Sequence, residues 1–291
     1  MLVVNPISGD VDKSDLIEQV TNFATQVDLN LVIYNTSGAS DLEKIRVLYE
    51  MYTPERIIVA GGDGTIKMVA EAMEHYDVII GILPAGSANG LAVDLNLPYT
   101  LEENIAIAFT NDYLEIDMIA INGKKSIHLS DLGVNAEMIK NYENSTIRGK
   151  LGYALQTFST LIDLDDPFTA KITGSFETIE CTARMIVIAN SQKYGTGVTI
   201  NPNGAMDDGK FELVILKNLD IFVLGKIISG NMPLNSEDVE IISTDSANIT
   251  TNVPVSFQID GEYCGSETFL KIEILPKQLK VAIPYLNAET I

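Results

Sequence analysis

The chain has 291 residues, of which 46% are hydrophobic and 20% charged, a composition that supports a sizeable core and excludes extensive disorder. At roughly 150 residues per domain, this length favours two domains. The 19 basic and 40 acidic residues give a formal net charge of −21. That charge argues against a nucleic-acid-binding protein and against a polybasic membrane anchor, because both need Lys and Arg to neutralise phosphates.

The first third of the chain alternates between short apolar runs and segments with apolar residues at helical spacing. Ser14, Asp41 and Thr65 stand where predicted helices begin, and Ser14 and Thr65 are candidate caps. The apolar runs predict strands at 2–4, 31–34, 56–60 and 78–83. This rhythm predicts a parallel sheet that is covered by helices on both faces.

The pattern changes after about residue 113, where apolar and polar residues alternate in short runs between turn residues. The runs that predict antiparallel strands are 126–129, 169–173, 185–189, 211–216, 255–259 and 270–275. A single helix is predicted at 149–164. We therefore expect an α/β N-terminal domain over 1–120 and an antiparallel β-sandwich domain over 121–280, with the tail at 281–291 packing back on the first domain.

The two cysteines, Cys181 and Cys264, belong to no CxxC motif or Cys/His cluster. They predict no zinc site and are typical of a protein in a reducing compartment. The first residues lack the basic and apolar regions of a signal peptide. The most apolar long stretch, 211–230, contains charged residues and is not expected to cross a bilayer. We expect a cytoplasmic protein.

The segment Asn5-Pro6-Ile7-Ser8-Gly9 follows the first predicted strand. Proline fixes its own backbone and removes a donor, while the N–H groups of Ser8 and Gly9 can face an anion. An ordinary strand-ending turn explains this segment equally well.

The segment Gly61-Gly62-Asp63-Gly64-Thr65 is more informative, because three glycines stand between a strand and a helix. Glycine allows a phosphate to approach the backbone, and the helix N-terminus adds partial positive charge. Asp63 would repel a phosphate, so we expect it to act through water and a divalent cation or on a ligand hydroxyl. The sequence has neither a Walker A pattern nor GxGxxG, which disfavours P-loop NTPases and conventional dinucleotide-binding dehydrogenases.

These two motifs, with Leu83-Pro-Ala-Gly-Ser-Ala-Asn-Gly-Leu-Ala92, resemble in order and spacing the diacylglycerol kinase catalytic domain family of lipid kinases. That family includes soluble bacterial lipid kinases and sphingosine kinases. Ala205-Met-Asp-Asp-Gly209 and Gln258-Ile-Asp-Gly-Glu262 extend the resemblance over nearly the whole chain. Asn89-Gly90 replaces the Asn-Asp of the bacterial enzymes and looks more like the sphingosine kinase form.

The resemblance implies a nucleotide-binding α/β domain related to that of NAD kinases, a C-terminal β-sandwich, and an active site between them. It implies ATP as phosphoryl donor, a lipid alcohol as acceptor and Mg²⁺. Glu262 stands where the family has its general base, and Asp260 and Asp63 are further catalytic candidates. The implied nucleotide-binding residues are Asn5, Pro6, Ile7, Ser8, Gly9, Thr36, Gly61, Gly62, Asp63, Gly64, Thr65, Ile66, Lys67, Gly86, Ser87 and Asn89. A structural magnesium is implied at Ala205, Asp208 and Lys210, with Asp208 giving its carboxylate and the others a backbone oxygen.

Two alternatives remain open from the sequence. An NAD kinase shares Gly-Gly-Asp-Gly, although the Asn5–Gly9 and Ala205–Gly209 motifs argue against it. The other alternative is a catalytically silent regulator that binds a lipid or a nucleotide, because Gly90 stands where the bacterial enzymes have an aspartate. For a kinase we expect a lipid substrate met at a membrane surface by peripheral contact, no nucleic acid, and a possible homodimer.

Overall fold

The computed structural model describes residues 1–87, 89–134, 136, 166–194, 197–219, 226–227, 230 and 237–284. Contacts between residues divide the chain into two units. Unit 1 comprises Met1–Ile116 and the described residues from Lys277 onward, and unit 2 comprises Asp117–Pro276. The helix predicted at 149–164 lies outside the described residues.

Unit 1 contains a parallel sheet with the strand order β2-β1-β3-β4. Its strands are β1 (Leu2–Val4), β2 (Ile33–Asn35), β3 (Arg56–Gly61) and β4 (Ile79–Pro84). The final strand of the chain, β14 (Glu262–Ala282), pairs in parallel with β4 through Lys280 and Val281. The predicted parallel α/β sheet is confirmed.

In the described part of unit 1, the α-helices beside this sheet are α1 (Ser14–Gln26), α2 (Asp41–Tyr52), α3 (Asp63–Ala72), α4 (Gly90–Asp94) and α5 (Leu101–Thr110). Val20 of α1 and Ala108 of α5 are fully buried and share one core cluster with Leu2, Ile58 and Leu83 of the strands. Apolar residues at helical spacing therefore hold the helices to strands that are themselves almost wholly apolar.

The prediction that Ser14 and Thr65 cap their helices is wrong. Ser14 is the first residue of α1, and its N–H and hydroxyl both donate to Asp12 Oδ1, at 3.0 and 2.8 Å. Thr65 lies inside α3, which begins at Asp63, and its buried hydroxyl accepts a hydrogen bond from Asn5. In both cases the hydroxyl has a partner outside the expected capping geometry.

Unit 2 is built from antiparallel strands. They are β5 (Tyr113–Ile121, which begins in unit 1), β6 (Lys124–Ser126), β7 (Leu129–Gly133), β8 (Phe168–Gly174), β9 (Ile179–Ala183), β10 (Met185–Ala189), β11 (Phe211–Leu216), β12 (Val239–Thr244), β13 (Ser246–Ile259) and β14. The order β12-β11-β10-β7-β13-β14 is antiparallel throughout, and β8 joins β13 and β9 in the same manner.

Strand β10 is buried on both faces: Ile186 and Ile188 belong to one core cluster, and Met185 and Val187 to another. The first cluster is shared with residues of β8, β13 and β14, so two sheet layers enclose it. Strand β13 belongs to both layers, since its first half pairs with β8 and its last residues pair with β7. Its register shifts in between, as expected where a strand passes from one layer to the other. The expected β-sandwich is confirmed.

Among the residues that the structure describes, no helix combines the length and the apolar character needed to span a membrane.

Candidate active site

Three loops of unit 1 come together where parallel strands end. Asn5–Gly9 follows β1, Gly61–Thr65 follows β3, and the loop from Ala85 to Asn89 follows β4. The carboxyl ends of adjacent parallel strands lie along one edge of the sheet, where α/β proteins bind their ligands. The three sequence motifs of the first domain therefore share one edge.

Asn5 connects the first loop to the second. Its backbone N–H donates to Ala60 O at 2.9 Å, and its Nδ2 donates to Thr65 Oγ1 at 3.0 Å. Its Oδ1 accepts from the N–H of Ile7 at 3.2 Å, which closes a short turn. This asparagine is half-buried and uses both ends of its amide.

Glycine is required at two positions in these loops because the backbone or a neighbouring side chain is too close. A Cβ on Gly9, whose φ is +67°, would lie 2.8 Å from Ala85 O of the third loop. A Cβ on Gly61 would lie 2.6 Å from Thr65 Oγ1. Both distances are shorter than real Cβ contacts allow. A side chain at Gly9 would push the first and third loops apart, whereas one at Gly61 would displace the Thr65 side chain to which Asn5 donates.

Asp63 connects the second loop to the third. Its Oδ2 accepts from Gly90 N at 2.7 Å and its Oδ1 accepts from Leu91 N at 3.1 Å, at the start of α4. The carboxylate thus holds the segment after Asn89 by charge-assisted hydrogen bonds. In the third loop, Asn89 Oδ1 accepts from Gly86 N at 2.9 Å. Ser87, between them, is exposed.

The start of α3 can receive an anion. Gly62 is its cap residue in an extended conformation and, as a glycine, supplies no side-chain cap. The first N–H groups of a helix have no partner within it and carry partial positive charge. The N–H groups of Thr65 and Ile66 already donate to Gly62 O, at 2.9 and 3.1 Å, so an anion would have to meet the N–H groups before them. The Ile66 side chain is buried in the core, whereas Lys67 is half-buried.

Lys13 is buried and does not contribute a cation to this edge. Its Nζ donates to Ser8 O at 2.6 Å and to Val11 O at 2.9 Å, which holds the carbonyls of the first loop inward. Ile7, in contrast, has 81% of its surface exposed. The expected anion contact of the Ser8 N–H is not seen, because this group donates to Asn5 O at 3.3 Å, and the N–H groups of Asn5 and Ile7 also have acceptors within the protein.

The predicted nucleotide residue Thr36 follows β2 and donates its N–H to Val4 O at 2.8 Å. The loop after it is held by Asp41, which the sequence analysis did not identify as a site residue. Asp41 Oδ1 accepts from Tyr34 OH at 2.5 Å and from Ser37 N at 2.9 Å, and its Oδ2 accepts from Gly38 N at 2.7 Å. Burial raises the pKa of Asp41, but these hydrogen bonds outweigh it and the pKa falls to about 2.

Asp260 of unit 2 is the first residue of the turn between β13 and β14, and Glu262 is the first residue of β14. Asp260 Oδ1 accepts from Ser126 Oγ at 2.8 Å and from His128 N at 3.0 Å, and its Oδ2 accepts from Ile127 N at 3.1 Å. Asp260 is therefore committed to holding the segment between β6 and β7. Glu262 is exposed.

The predicted metal residues Ala205, Asp208 and Lys210 lie on the loop before β11. Lys210 N donates to Asp208 Oδ1 at 3.0 Å. Fully buried Asp117 of β5 holds this loop, because its Oδ2 accepts from Gly209 N at 2.7 Å and its N–H donates to Met206 O at 2.6 Å. The described residues contain no cluster of three His, Cys, Asp or Glu side chains suited to a metal. One carboxylate with two backbone carbonyls is nevertheless an all-oxygen donor set, which suits a hard cation such as Mg²⁺.

A second buried carboxylate supports the same loop. Glu212 of β11 accepts from Asn201 Nδ2 at 2.6 Å and from Ser243 Oγ at 2.8 Å. Burial raises the pKa of Glu212, and these two hydrogen bonds act in the opposite direction. The sequence offered a signal for both residues, since Asp117 lies between Ile116 and Met118 and Glu212 is the only acid of β11, but it gave no indication of what they contact.

Comparison with known proteins agrees with this architecture. Residues 1–121 match the model of the diacylglycerol kinase catalytic domain. Residues 130–283 match the YegS C-terminal NAD kinase beta sandwich-like domain. The two matches define a kinase of the two-domain type. The chain belongs to the diacylglycerol kinase catalytic domain family, in the group that includes YegS.

Individual relatives are similar over most of the chain. The protein named probable lipid kinase YegS from Escherichia fergusonii is 30% identical over 236 residues, which are 78% of each chain. Lipid kinase YegS from Escherichia coli K12 is 28% identical over the same share. A crystal structure of a diacylglycerol kinase from Bacillus anthracis str. Sterne has a TM-score of 0.74 and 21% identity, covering 98% of this chain and 96% of that one. This structural likeness supports the fold alone.

Proposed function

We propose that this protein is an ATP-dependent lipid kinase that transfers the γ-phosphoryl group to the hydroxyl of a diacylglycerol or sphingoid-type lipid. The observation that carries the proposal is the convergence of the Asn5–Gly9, Gly61–Thr65 and Ala85–Asn89 loops at one sheet edge, in a chain of the YegS group. Phosphoryl transfer needs positioning and charge neutralisation more than covalent chemistry, and these loops are suited to positioning.

In this proposal the three loops and Thr36 bind the nucleotide. The backbone N–H groups at the start of α3 face the phosphates, and Asn5 and Asp63 keep the loops in register. Lys67 and Ser87 are the side chains of this set that can add direct contacts. Gly86 and Asn89, which are hydrogen-bonded to each other, form the part of the nucleotide site that the third loop contributes.

We assign the general base to Glu262 and a supporting role to Asp260. A primary alcohol hardly ionises near neutral pH, so a carboxylate that accepts its proton accelerates attack on phosphorus. Glu262 is exposed, whereas Asp260 already accepts from three donors in its own unit. Asp260 is therefore the less suitable of the two to take a proton from a substrate.

We assign a Mg²⁺ ion to the backbone oxygens of Ala205 and Lys210 and the carboxylate of Asp208. Its role there is to stabilise the loop that Asp117 and Glu212 support from the protein side. When bound, Mg²⁺ also supplies charge neutralisation that a chain with so few cations at its phosphate loops lacks.

The acceptor meets the protein at a membrane surface. With a net charge of −21, a general electrostatic attraction to anionic lipid is unavailable. We therefore expect brief peripheral contact, with the lipid headgroup recognised at the site rather than a lasting attachment.

The test is transfer of labelled phosphate from ATP to diacylglycerol, sphingoid base, monoacylglycerol and phosphatidylglycerol in mixed micelles, with NAD as a further acceptor. Wild type, Glu262→Gln and the control Glu267→Gln, an exposed acid on the same strand, are compared. A positioned base predicts a kcat for Glu262→Gln that is lower by about 10²–10⁴-fold, with little change in nucleotide binding. Labelled NAD would favour the NAD kinase alternative, and no labelled product would favour the silent regulator.

A further inference from the structure

The position of Glu262 depends on a two-residue turn. Ile259 and Glu262 are paired across the hairpin, and the turn between them consists of Asp260 (φ 50°) and Gly261 (φ 87°). Two positive φ values in succession are typical of a type I′ hairpin turn. Because the Glu262 side chain is exposed, protein packing does not fix it, and its reach is set by the backbone of this turn.

One side of the turn is held by Gln258. Its Oε1 accepts from Gly261 N at 2.7 Å, and its Nε2 donates to Asp131 Oδ2 at 2.6 Å. Gln258 and Asp131 are also backbone neighbours in the β13–β7 register. Both residues have only 1% of their surface exposed. This amide therefore connects a buried carboxylate to the turn that carries Glu262.

The orientation of the Gln258 amide follows from its partners. Asp131 Oδ2 also accepts from Tyr194 OH at 3.1 Å, so this oxygen acts as an acceptor on two sides. An amide turned the other way would place its oxygen against the Asp131 carboxylate and its NH₂ group against Gly261 N–H. Both contacts would be repulsive, and at a buried position neither would be screened by water.

We propose that Asp131 and Gln258 are positioning residues for Glu262: together they fix the Asp260–Gly261 turn so that this carboxylate reaches the acceptor hydroxyl. The inference rests on the proposed function, because it needs Glu262 to be the general base. A displacement of about 1 Å in a catalytic group can cost about 10²-fold in rate, so a buried support of this kind affects kcat.

The first experiment measures lipid phosphorylation by Gln258→Met, which keeps the length and apolar volume of the side chain but removes both hydrogen bonds. We expect kcat to fall by about 10–100-fold while KM for ATP stays within about 3-fold. Asp131→Leu should behave similarly, whereas Asp131→Asn keeps an oxygen that can accept from Gln258 and should restore most of kcat. Thr251→Val, which removes the side-chain hydrogen bond of another buried residue on β13, is the control and should turn over like wild type.

The second experiment separates positioning from general destabilisation. In a Glu262→Gln background, Gln258→Met should lower kcat by less than about 3-fold, because the group that it positions is already gone. Hydrogen exchange at the Gly261 amide should accelerate in Gln258→Met with or without Glu262, since Gln258 Oε1 is its acceptor.

The outcomes are distinct. If Glu262→Gln alone turns over like wild type, the proposed base is wrong and the positioning role is overturned with it. If Glu262→Gln is impaired but Gln258→Met is not, the base stands and only the positioning role is overturned. If the two losses multiply in the double variant, Gln258 acts on the fold rather than through Glu262, and the inference is also overturned.

Discussion

Asp41→Asn tests whether the loop after Thr36 is organised by one buried carboxylate. Asp41 has 6% of its surface exposed and accepts from Tyr34 OH, from the N–H and hydroxyl of Ser37, and from Gly38 N. Asparagine keeps the shape but offers one acceptor oxygen, and its NH₂ group meets donors such as Gly38 N. The substitution should therefore break the network without leaving a cavity.

The size of the effect follows from the pKa of Asp41, which is about 2 in the folded protein against an ordinary value of 3.8. One pKa unit corresponds to about 1.4 kcal/mol, so the ionised carboxylate stabilises the fold by roughly 2–3 kcal/mol at neutral pH. Because the folded pKa is the lower one, this contribution is present above pH 4 and is lost as the pH falls through 2. About half of it should remain at pH 3.

Urea unfolding followed by circular dichroism at pH 7 and pH 3 measures this difference, and hydrogen exchange of the Ser37 and Gly38 amides locates it. We expect Asp41→Asn to be less stable than wild type by about 2–3 kcal/mol at pH 7, with the gap roughly halved at pH 3. The control is Asp12→Asn, which removes a carboxylate that accepts from Ser14 at an exposed position and should matter much less. A gap that is the same at both pH values would refute the argument.

The same variant has a functional consequence if Thr36 contacts the nucleotide. Asp41 holds the residues that directly follow Thr36, so a loosened loop should raise KM for ATP by about 5–20-fold with a smaller effect on kcat. An unchanged KM, measured on a sample with the expected loss of stability, would remove Thr36 from the nucleotide site.

Three further predictions concern the loops. Asp63→Asn leaves one of the Gly90 and Leu91 N–H groups without its acceptor and should lower kcat/KM for ATP by at least about 10²-fold with a folded protein; wild-type values would contradict this. Gly9→Ala should weaken nucleotide binding by about 10-fold or more, because its Cβ would meet Ala85 O. The control Gly123→Ala has a similar positive φ but open space around it, so it should lower the stability of the fold only by the backbone strain. If the two variants lose the same stability, the contact with Ala85 is irrelevant. Chelation should lower the melting temperature, and re-added Mg²⁺ should restore it; an unchanged melting curve in protein verified to be metal-free would exclude the site at Asp208.

The sequence predicted the sheets well where burial determines them. Strands such as β3 and β10 are buried almost throughout, and their apolar runs correctly predicted these strands. The long strand β13 was predicted only from residue 255, because Asn252, Val253 and Pro254 are exposed and proline normally ends a strand. Here Pro254 lies where the register of β13 shifts, and the pairing resumes beyond it.

The candidate site was predictable as motifs but not as contacts. The segments around Gly9 and Gly61 could be identified from the sequence, because positions where neighbouring atoms come too close for a Cβ are occupied by glycine. Asp131 was not, because its role depends on pairing with Gln258, 127 residues further along the chain. A side chain acting through a distant strand has no local pattern, and only the tertiary pairing identifies it.

Three of the described loops of this acidic protein are held by carboxylates that accept from neutral backbone N–H groups. Asp41 binds Ser37 and Gly38, Asp63 binds the start of α4, and Asp260 binds Ile127 and His128. The donors in these hydrogen bonds are neutral N–H groups, so salt weakens the bonds themselves less than it weakens exposed ion pairs such as Lys271–Glu273. We therefore expect the loop that Asp41 holds to keep its arrangement at high ionic strength.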